Sequence, residues 1–229
     1  GVTLLIAKAL GADGNSGDNT LSDSVKWCAN ESADVISLSL GGADFFLPNI
    51  LIGDESENAI NDAIDQGIIV IAAAGNSGGT SEGDDVAYPS SIDRVISVGG
   101  IDIDGTSWEG SNSGDNGPNF LQLRPFGRFD PNKKPEVVAP AVNVPILLEN
   151  SYGYANGTSA STVYVTAAIS CLLSQYPELQ HDGSQGGSDT VDQIKEWISD
   201  SSEGVDGHDN RLGYGRLSFE ALIQSAASS

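Results

Sequence analysis

The first hundred residues alternate between continuous apolar runs and stretches whose apolar positions recur at helical spacing. Four short runs have the length and composition of buried strands: 3–9, 34–40, 68–74 and 94–98. Helical spacing marks the stretch that begins at Leu21 and the stretch 54–65. Because continuous apolar strands separated by helices are typical of parallel sheets, we predict an α/β fold in three layers, with a mostly parallel sheet and helices on both faces.

The second half of the chain is less regular until one strongly apolar segment. Residues 100–150 carry Gly, Asn, Asp or Pro in nearly every predicted turn, and no linker or repeat divides them, so we predict one domain over 1–229. Residues 159–176 have almost no polar face, which predicts a helix that lies inside the protein. Two surface helices are predicted to close the chain, over 191–199 and 218–227.

The net charge of the chain excludes some classes of binding partner. The chain has 32 acidic and 10 basic residues, a net charge of −22, which would repel nucleic acid and anionic membranes. No apolar run approaches the ~18 residues of a membrane-spanning helix. The acids are scattered rather than gathered in a tail, which favours adaptation to high salt over a merely acidic protein.

Cys28 and Cys171 match no metal-binding spacing, and two separate thiols are favoured over a disulfide.

One segment has the features of an acyl-transfer site. Residues 156–159 read Asn-Gly-Thr-Ser and directly precede the apolar helix, which places Ser159 at its amino end. There the first backbone N–H groups have no partner within the helix, and the helix dipole favours developing negative charge. A serine in that position suits the tetrahedral oxyanion of acyl transfer. The alternative is that Thr158 or Ser159 simply caps the helix.

Five segments resemble one family in order and in spacing. They read AKALG, DVISLSLGG, IVIAAAGN, KPEVVAP and NGTS, and they lie at 7–11, 34–42, 69–76, 134–140 and 156–159. Together they are similar to the catalytic domain of the subtilisin-like serine proteases (subtilases), and the chain is identified as a member of that family, covering the carboxyl-terminal portion of the domain. The resemblance implies a subtilisin-like fold and an extended peptide or protein substrate.

The resemblance also implies a role for particular residues. Ser159 would be the nucleophile, and the Asn76 carboxamide would stabilise the oxyanion together with the Ser159 backbone N–H; read alone, an Asn after Gly is also a common turn residue. A substrate peptide would pair with one strand edge by β-augmentation. A second segment would form a wall of the pocket for the residue before the scissile bond. The edge and the wall are formed by Ser39, Leu40, Gly41 and Gly42, and by Ala73, Ala74 and Gly75.

The chain departs from the family in lacking its Asp and His motifs. In the family both precede the strand that 3–9 resembles, whereas His181 and His208 follow Ser159, and His208 is expected in a solvated loop. Because a serine without a base is a poor nucleophile, the isolated chain should be inactive. We therefore expect a serine endopeptidase completed by an upstream portion; the alternative is a non-catalytic subtilase-fold module that binds peptides or serves as a scaffold.

Three further expectations accompany this reading. The chain has no methionine, so a segment is expected to precede it, and without the family's first strands a sheet edge and an apolar helix surface should be exposed. The missing portion or a second copy would cover them. No cofactor is required, and calcium for stability is compatible with two spacings, Asp102 with Asp104 and Asp206 with Asp209. The resemblance implies an extracellular location.

Overall fold

The computed structural model describes residues 1–12, 14, 16–41, 55–80, 84–119 and 124–228. The helices in these ranges are α1 (Asp18–Asn30), α2 (Glu55–Asp65), α3 (Thr158–Gln175), α4 (Ser188–Ser201) and α5 (Phe219–Ala227), with a short 3₁₀ helix at Pro177–Leu179. The strands are β1 (Val35–Leu38), β2 (Ile69–Ala73), β3 (Ile96–Ile101), β4 (Val137–Pro140), β5 (Val144–Leu148), β6 (Ser151–Ala155), β7 (Ser202–Asp209) and β8 (Gly213–Leu217).

Six of these strands form one sheet, in the order β1-β2-β3-β4-β8-β7. The pairs from β1 to β8 are parallel, and β7 joins β8 in antiparallel fashion. Every residue of β2 and of β3 is buried, so helices cover both faces of the centre of the sheet. The predicted fold class is confirmed. Strands β5 and β6 form a separate antiparallel ribbon just before α3.

The stretch between α4 and α5 is a hairpin rather than the expected polar loop. Most residues of β7 are exposed, and no apolar alternation marks the strand. Backbone pairing holds it instead, because β8 continues the sheet from β4 through Val138 and Arg216 and then carries β7 along its other edge. Strands made by pairing alone leave no hydrophobic signal in the sequence.

The first apolar run does not form a strand. Residues 1–9 have no regular secondary structure, and Leu4 and Ile6 are 80% and 85% exposed. A strand requires a hydrogen-bonded neighbour, and within the part of the chain that the structure describes no segment pairs with this run. The apolar pattern was therefore insufficient without a partner strand.

Helix α3 is only half internal, so the prediction of a fully buried helix is wrong. Val165, Ile169 and Leu172 are fully buried against the sheet, whereas Val163 and Tyr164 are 57% and 47% exposed. The exposed face has no covering element among the described residues, which explains the difference.

Both cysteines are free thiols, as expected. Among the described helices, none is long and apolar enough to cross a bilayer.

Candidate active site

Ser159 lies at the point where several parallel strands end. It is the second residue of α3 and is half-buried. Ser39 directly follows β1, and Asn76 lies three residues beyond β2, so both belong to the carboxyl edge of the sheet, where ligands bind in open α/β folds. The sheet topology thus brings together three segments that the sequence separates by 37 to 120 residues.

Thr158 joins the turn after β2 to the start of α3. Its backbone N–H donates to Asn76 Oδ1 at 2.8 Å, and its hydroxyl lies 3.0 Å from the same oxygen. The Gly75 N–H donates to the Thr158 hydroxyl at 3.1 Å. The N-cap residue of α3 is Gly157, which has no side chain, and the first N–H is satisfied by Asn76 from a distant segment, so the alternative that Thr158 or Ser159 serves as the helix cap is wrong.

Two hydrogen-bond donors at the amino end of α3 have no acceptor among the described residues. The Thr158 N–H is used by Asn76, but among the described residues neither the Ser159 N–H nor Asn76 Nδ2 has an acceptor. Gly157 lies against this amide: its φ is +144°, and a Cβ there would lie 3.4 Å from Asn76 Nδ2. A side chain would be strained at that φ, so the turn before α3 favours glycine.

The predicted strand edge contacts Ser159 through Ser39. The Ser159 hydroxyl donates to the Ser39 carbonyl at 3.3 Å, and the Ser39 hydroxyl donates to the Ser159 carbonyl at 3.1 Å. Leu40 is half-buried and Gly41 is exposed. Gly42 lies outside the described residues. The edge therefore reaches the serine through Ser39.

The predicted second wall lies mostly below the surface. Ala73 and Ala74 are buried, at 3% and 0% exposure, and Gly75 is the part that reaches solvent. Gly75 has a φ of +112°, and a Cβ there would come within 2.6 Å of Asn112 Nδ2. Asn112 in turn accepts from the Ser77 N–H at 2.7 Å. This asparagine fixes the turn that presents Asn76.

Sequence reasoning missed Ala87, which lies between the edge and the wall. Its N–H donates to the Ala74 carbonyl at 2.7 Å, and its methyl group lies 3.2 Å from the position of a Cβ at Gly41. Only the fold brings this residue between the strand edge and the wall, since nothing in the local sequence distinguishes it. Asn112 was missed for the same reason.

Neither histidine of the chain is positioned to serve as a base for Ser159. His181 Nδ1 lies 2.8 Å from Asp34 Oδ1, at the amino end of β1. His208 belongs to β7, is half-buried and lies 2.9 Å from the Pro135 carbonyl, so the expectation of a solvated loop is wrong. Burial lowers the pKa of His208.

The acidic spacings considered for calcium mainly shape turns. Asp102 Oδ1 accepts from the Asp104 N–H at 2.9 Å, and Asp209 Oδ1 accepts from two N–H groups in the turn that follows it. In the described part of the chain, neither predicted pair belongs to a group of three metal-ligating side chains. The Asp102 and Asp209 carboxylates therefore have backbone N–H partners within their own turns.

Comparisons with known proteins agree with this geometry. The model of the subtilase family matches residues 1–215. Subtilisin DY of Bacillus licheniformis is 28% identical over 225 residues, which cover 97% of this chain and 69% of that protein. The major intracellular serine protease of Bacillus subtilis (strain 168) is 30% identical over 179 residues, 77% of this chain and 48% of that protein.

Solved structures show the same fold at low sequence identity. The self-cleaved protease domain of PatA superposes with a TM-score of 0.70 at 20% identity and covers 93% of this chain and 69% of that one. Sphericase superposes with a TM-score of 0.68 at 19% identity, over 91% of this chain and 66% of that one. The chain thus spans between half and about two thirds of the length of these proteins.

Proposed function

The chain belongs to the subtilase family, and we propose that it supplies the nucleophile, the oxyanion site and the peptide groove of a serine endopeptidase. The observation that carries the proposal is a pair of donors at the amino end of α3, the Ser159 N–H and the Asn76 amide held next to Thr158, neither of which has an acceptor among the described residues. A carbonyl oxygen that becomes negatively charged is stabilised by such preorganised donors.

The proposed reaction follows from this arrangement. Ser159 Oγ bonds to the carbonyl carbon of the scissile peptide bond and gives its proton to a base. The oxyanion accepts from the Ser159 N–H and the Asn76 amide until the C–N bond breaks and the amine leaves with that proton. Water then hydrolyses the acyl ester. The substrate lies extended along 39–42, with glycines that allow its backbone to approach.

In this proposal the base comes from outside residues 1–229. The described residues leave the outer edge of β1 unpaired and the face of α3 around Val163 and Tyr164 exposed, and the apolar run 3–9 lies open to solvent. A segment carrying the Asp and the His would cover these surfaces. We favour an amino-terminal portion of the same gene product over a second copy, because the family places both groups before the first apolar run.

Fluorophosphonate labelling of the full-length gene product in high salt tests the proposal. Ser159→Ala should abolish labelling, and Asn76→Ala should slow it by about 10²–10³-fold, the magnitude known for this donor in subtilisin. Ser199→Ala, at a half-buried position of α4, and Asn30→Ala, at an exposed position of α1, serve as controls. Residues 1–229 alone should remain unlabelled. Labelling that survives Ser159→Ala would overturn the assignment of the nucleophile.

One observation favours the second candidate, a non-catalytic peptide-binding or scaffold module. The Ser159 hydroxyl donates to the Ser39 carbonyl, which cannot accept its proton permanently as a base would. A full-length protein that binds extended peptides but is never labelled at Ser159 would establish this alternative.

The remaining proposals concern cofactors, calcium, location and salt rather than the reaction itself. We propose that the protein requires no cofactor, that calcium contributes only to stability, and that it acts outside the cell on peptides or proteins. The net charge of −22 supports a role in high salt and disfavours nucleic acid and anionic membranes as partners. Activity and stability that both increase from 0.1 M to molar salt would support the proposed role in high salt.

A further inference from the structure

A second group of reactive side chains lies at the opposite end of β1 from Ser159. Asp34 directly precedes β1, and His181 and Asp182 follow the short 3₁₀ helix after α3. One ligand atom from each residue lies within 4.8 Å of the other two, and this is the only group of three metal-ligating residues among the described parts of the chain. A chain with 32 acidic residues thus brings three ligands together once in its described parts, and that group contains an imidazole.

From this geometry we propose that Asp34, His181 and Asp182 bind a divalent transition-metal ion of the zinc class. Ligands of a tetrahedral zinc ion with bonds of about 2.0–2.1 Å lie roughly 3.4 Å apart, so small side-chain rotations close the observed spacing. One imidazole and two carboxylates suit Zn²⁺ or Co²⁺, whereas calcium prefers oxygen ligands alone. The remaining coordination positions are left to water.

The arrangement of His181 is already partly set by Asp34. Its Nδ1 lies 2.8 Å from Asp34 Oδ1, and its backbone N–H donates to the same oxygen at 3.3 Å. The imidazole side chain is 16% exposed, and Asp182 lies in solvent beside it. An ion that binds at Nδ1 takes the position between the ring and Asp34, and the neutral imidazole then carries its proton on Nε2.

The site would complete a series of ties between β1 and α3, which run in opposite directions. At one end Ser39 and Ser159 exchange hydrogen bonds, and in the middle the Thr166 hydroxyl donates to the Ser37 hydroxyl at 3.0 Å. At the other end the connection is the Asp34–His181 contact. A bound ion would strengthen this last tie and so stabilise the edge strand that leads to Ser39.

Titration of residues 1–229 with Zn²⁺ and Co²⁺ tests the proposal. Calorimetry should show one ion per chain, and Co²⁺ should broaden the ring signals of His181 before those of His208, the only other histidine. His181→Gln should weaken binding at least tenfold and Asp182→Asn by about 10–100-fold. His208→Gln and Asp104→Asn are matched controls. A tenfold excess of Ca²⁺ should not displace the ion.

Two results would overturn the proposal. One is equal broadening of both histidines in the wild-type spectrum, which needs no variant and therefore does not depend on how a variant folds. The other is binding that His181→Gln leaves unchanged while added salt or Ca²⁺ abolishes it, because that is the behaviour of counterions on a highly acidic surface. Neither result bears on Ser159, so this inference and the proposed function are tested independently.

Discussion

Apolar side chains are usually buried and charged side chains exposed, and the two sides of the sheet depart from this pattern in opposite ways. Beside β4, the charged side chains of Lys134, Glu136 and Lys195 are buried, with at most 1% of each exposed. On the face of α3 near β1, apolar side chains are open to solvent, with Val163 57% and Tyr164 47% exposed. The comparison teaches that available neighbours decide burial here, and that among the described residues this face lacks them.

The β4 side is complete because every charge has partners. Glu136 Oε1 lies 2.8 Å from the Nζ atoms of both Lys134 and Lys195, and Glu136 Oε2 accepts from the Ser97 N–H at 2.7 Å. Lys195 also donates to the Asn132 carboxamide at 2.6 Å, and Lys134 donates to the carbonyl of Val95. Buried charges are tolerated only in such fully paired networks.

The largest expected effect comes from removing the shared carboxylate. Glu136→Ala should lower the free energy of unfolding by about 3–5 kcal/mol, because the buried side chains of Lys134 and Lys195 would lose the carboxylate that they share. Urea denaturation measures the change. Glu203→Ala is the matched control, since its pair with Arg216 is 3.6 Å long and both side chains are more than half exposed. A cost below about 1 kcal/mol would contradict the view that this cluster depends on Glu136.

The two faces of α3 give the next test. Ile169→Ala should cost about 2–5 kcal/mol in residues 1–229, because it leaves a cavity under the helix. Val163→Ala, on the exposed face, should change stability by less than about 0.5 kcal/mol. Equal costs, measured by urea denaturation, would show that the β1 side is covered in solution by another copy of the chain. Repeating Val163→Ala at several protein concentrations separates that case from a monomer.

The third test concerns the pH dependence of the β4 side, where the effect per pH unit is the smallest of the three. Burial lowers the pKa of Lys134 to about 7, whereas the unfolded chain keeps the usual value near 10.5. Between these values the unfolded state binds more protons, so stability should rise with pH, by up to about 1.4 kcal/mol per unit. Lys134→Met should flatten this slope. A slope of opposite sign between pH 7 and 10 would contradict the prediction.

Much of the architecture was readable from local patterns. The apolar runs at 34–40 and 68–74 became β1 and β2, and the helical spacing over 54–65 became α2, because continuous apolar runs and 3.6-residue periodicity reflect burial directly. The Asn-Gly-Thr-Ser segment placed Ser159 at the start of α3. These features depend on neighbours within a few residues.

Contacts between distant segments decided the rest. The sequence by itself determined β1, β2, α2, the net charge and the position of the serine at a helix start. Only the tertiary structure showed that Asn76 bonds to Thr158, that Ala87 lies between the strand edge and the wall, and that His181 meets Asp34 across 147 residues. Within the described residues it also left the run 3–9 without a partner strand. Local propensity is encoded residue by residue, whereas each of these contacts depends on the order in which distant strands join the sheet.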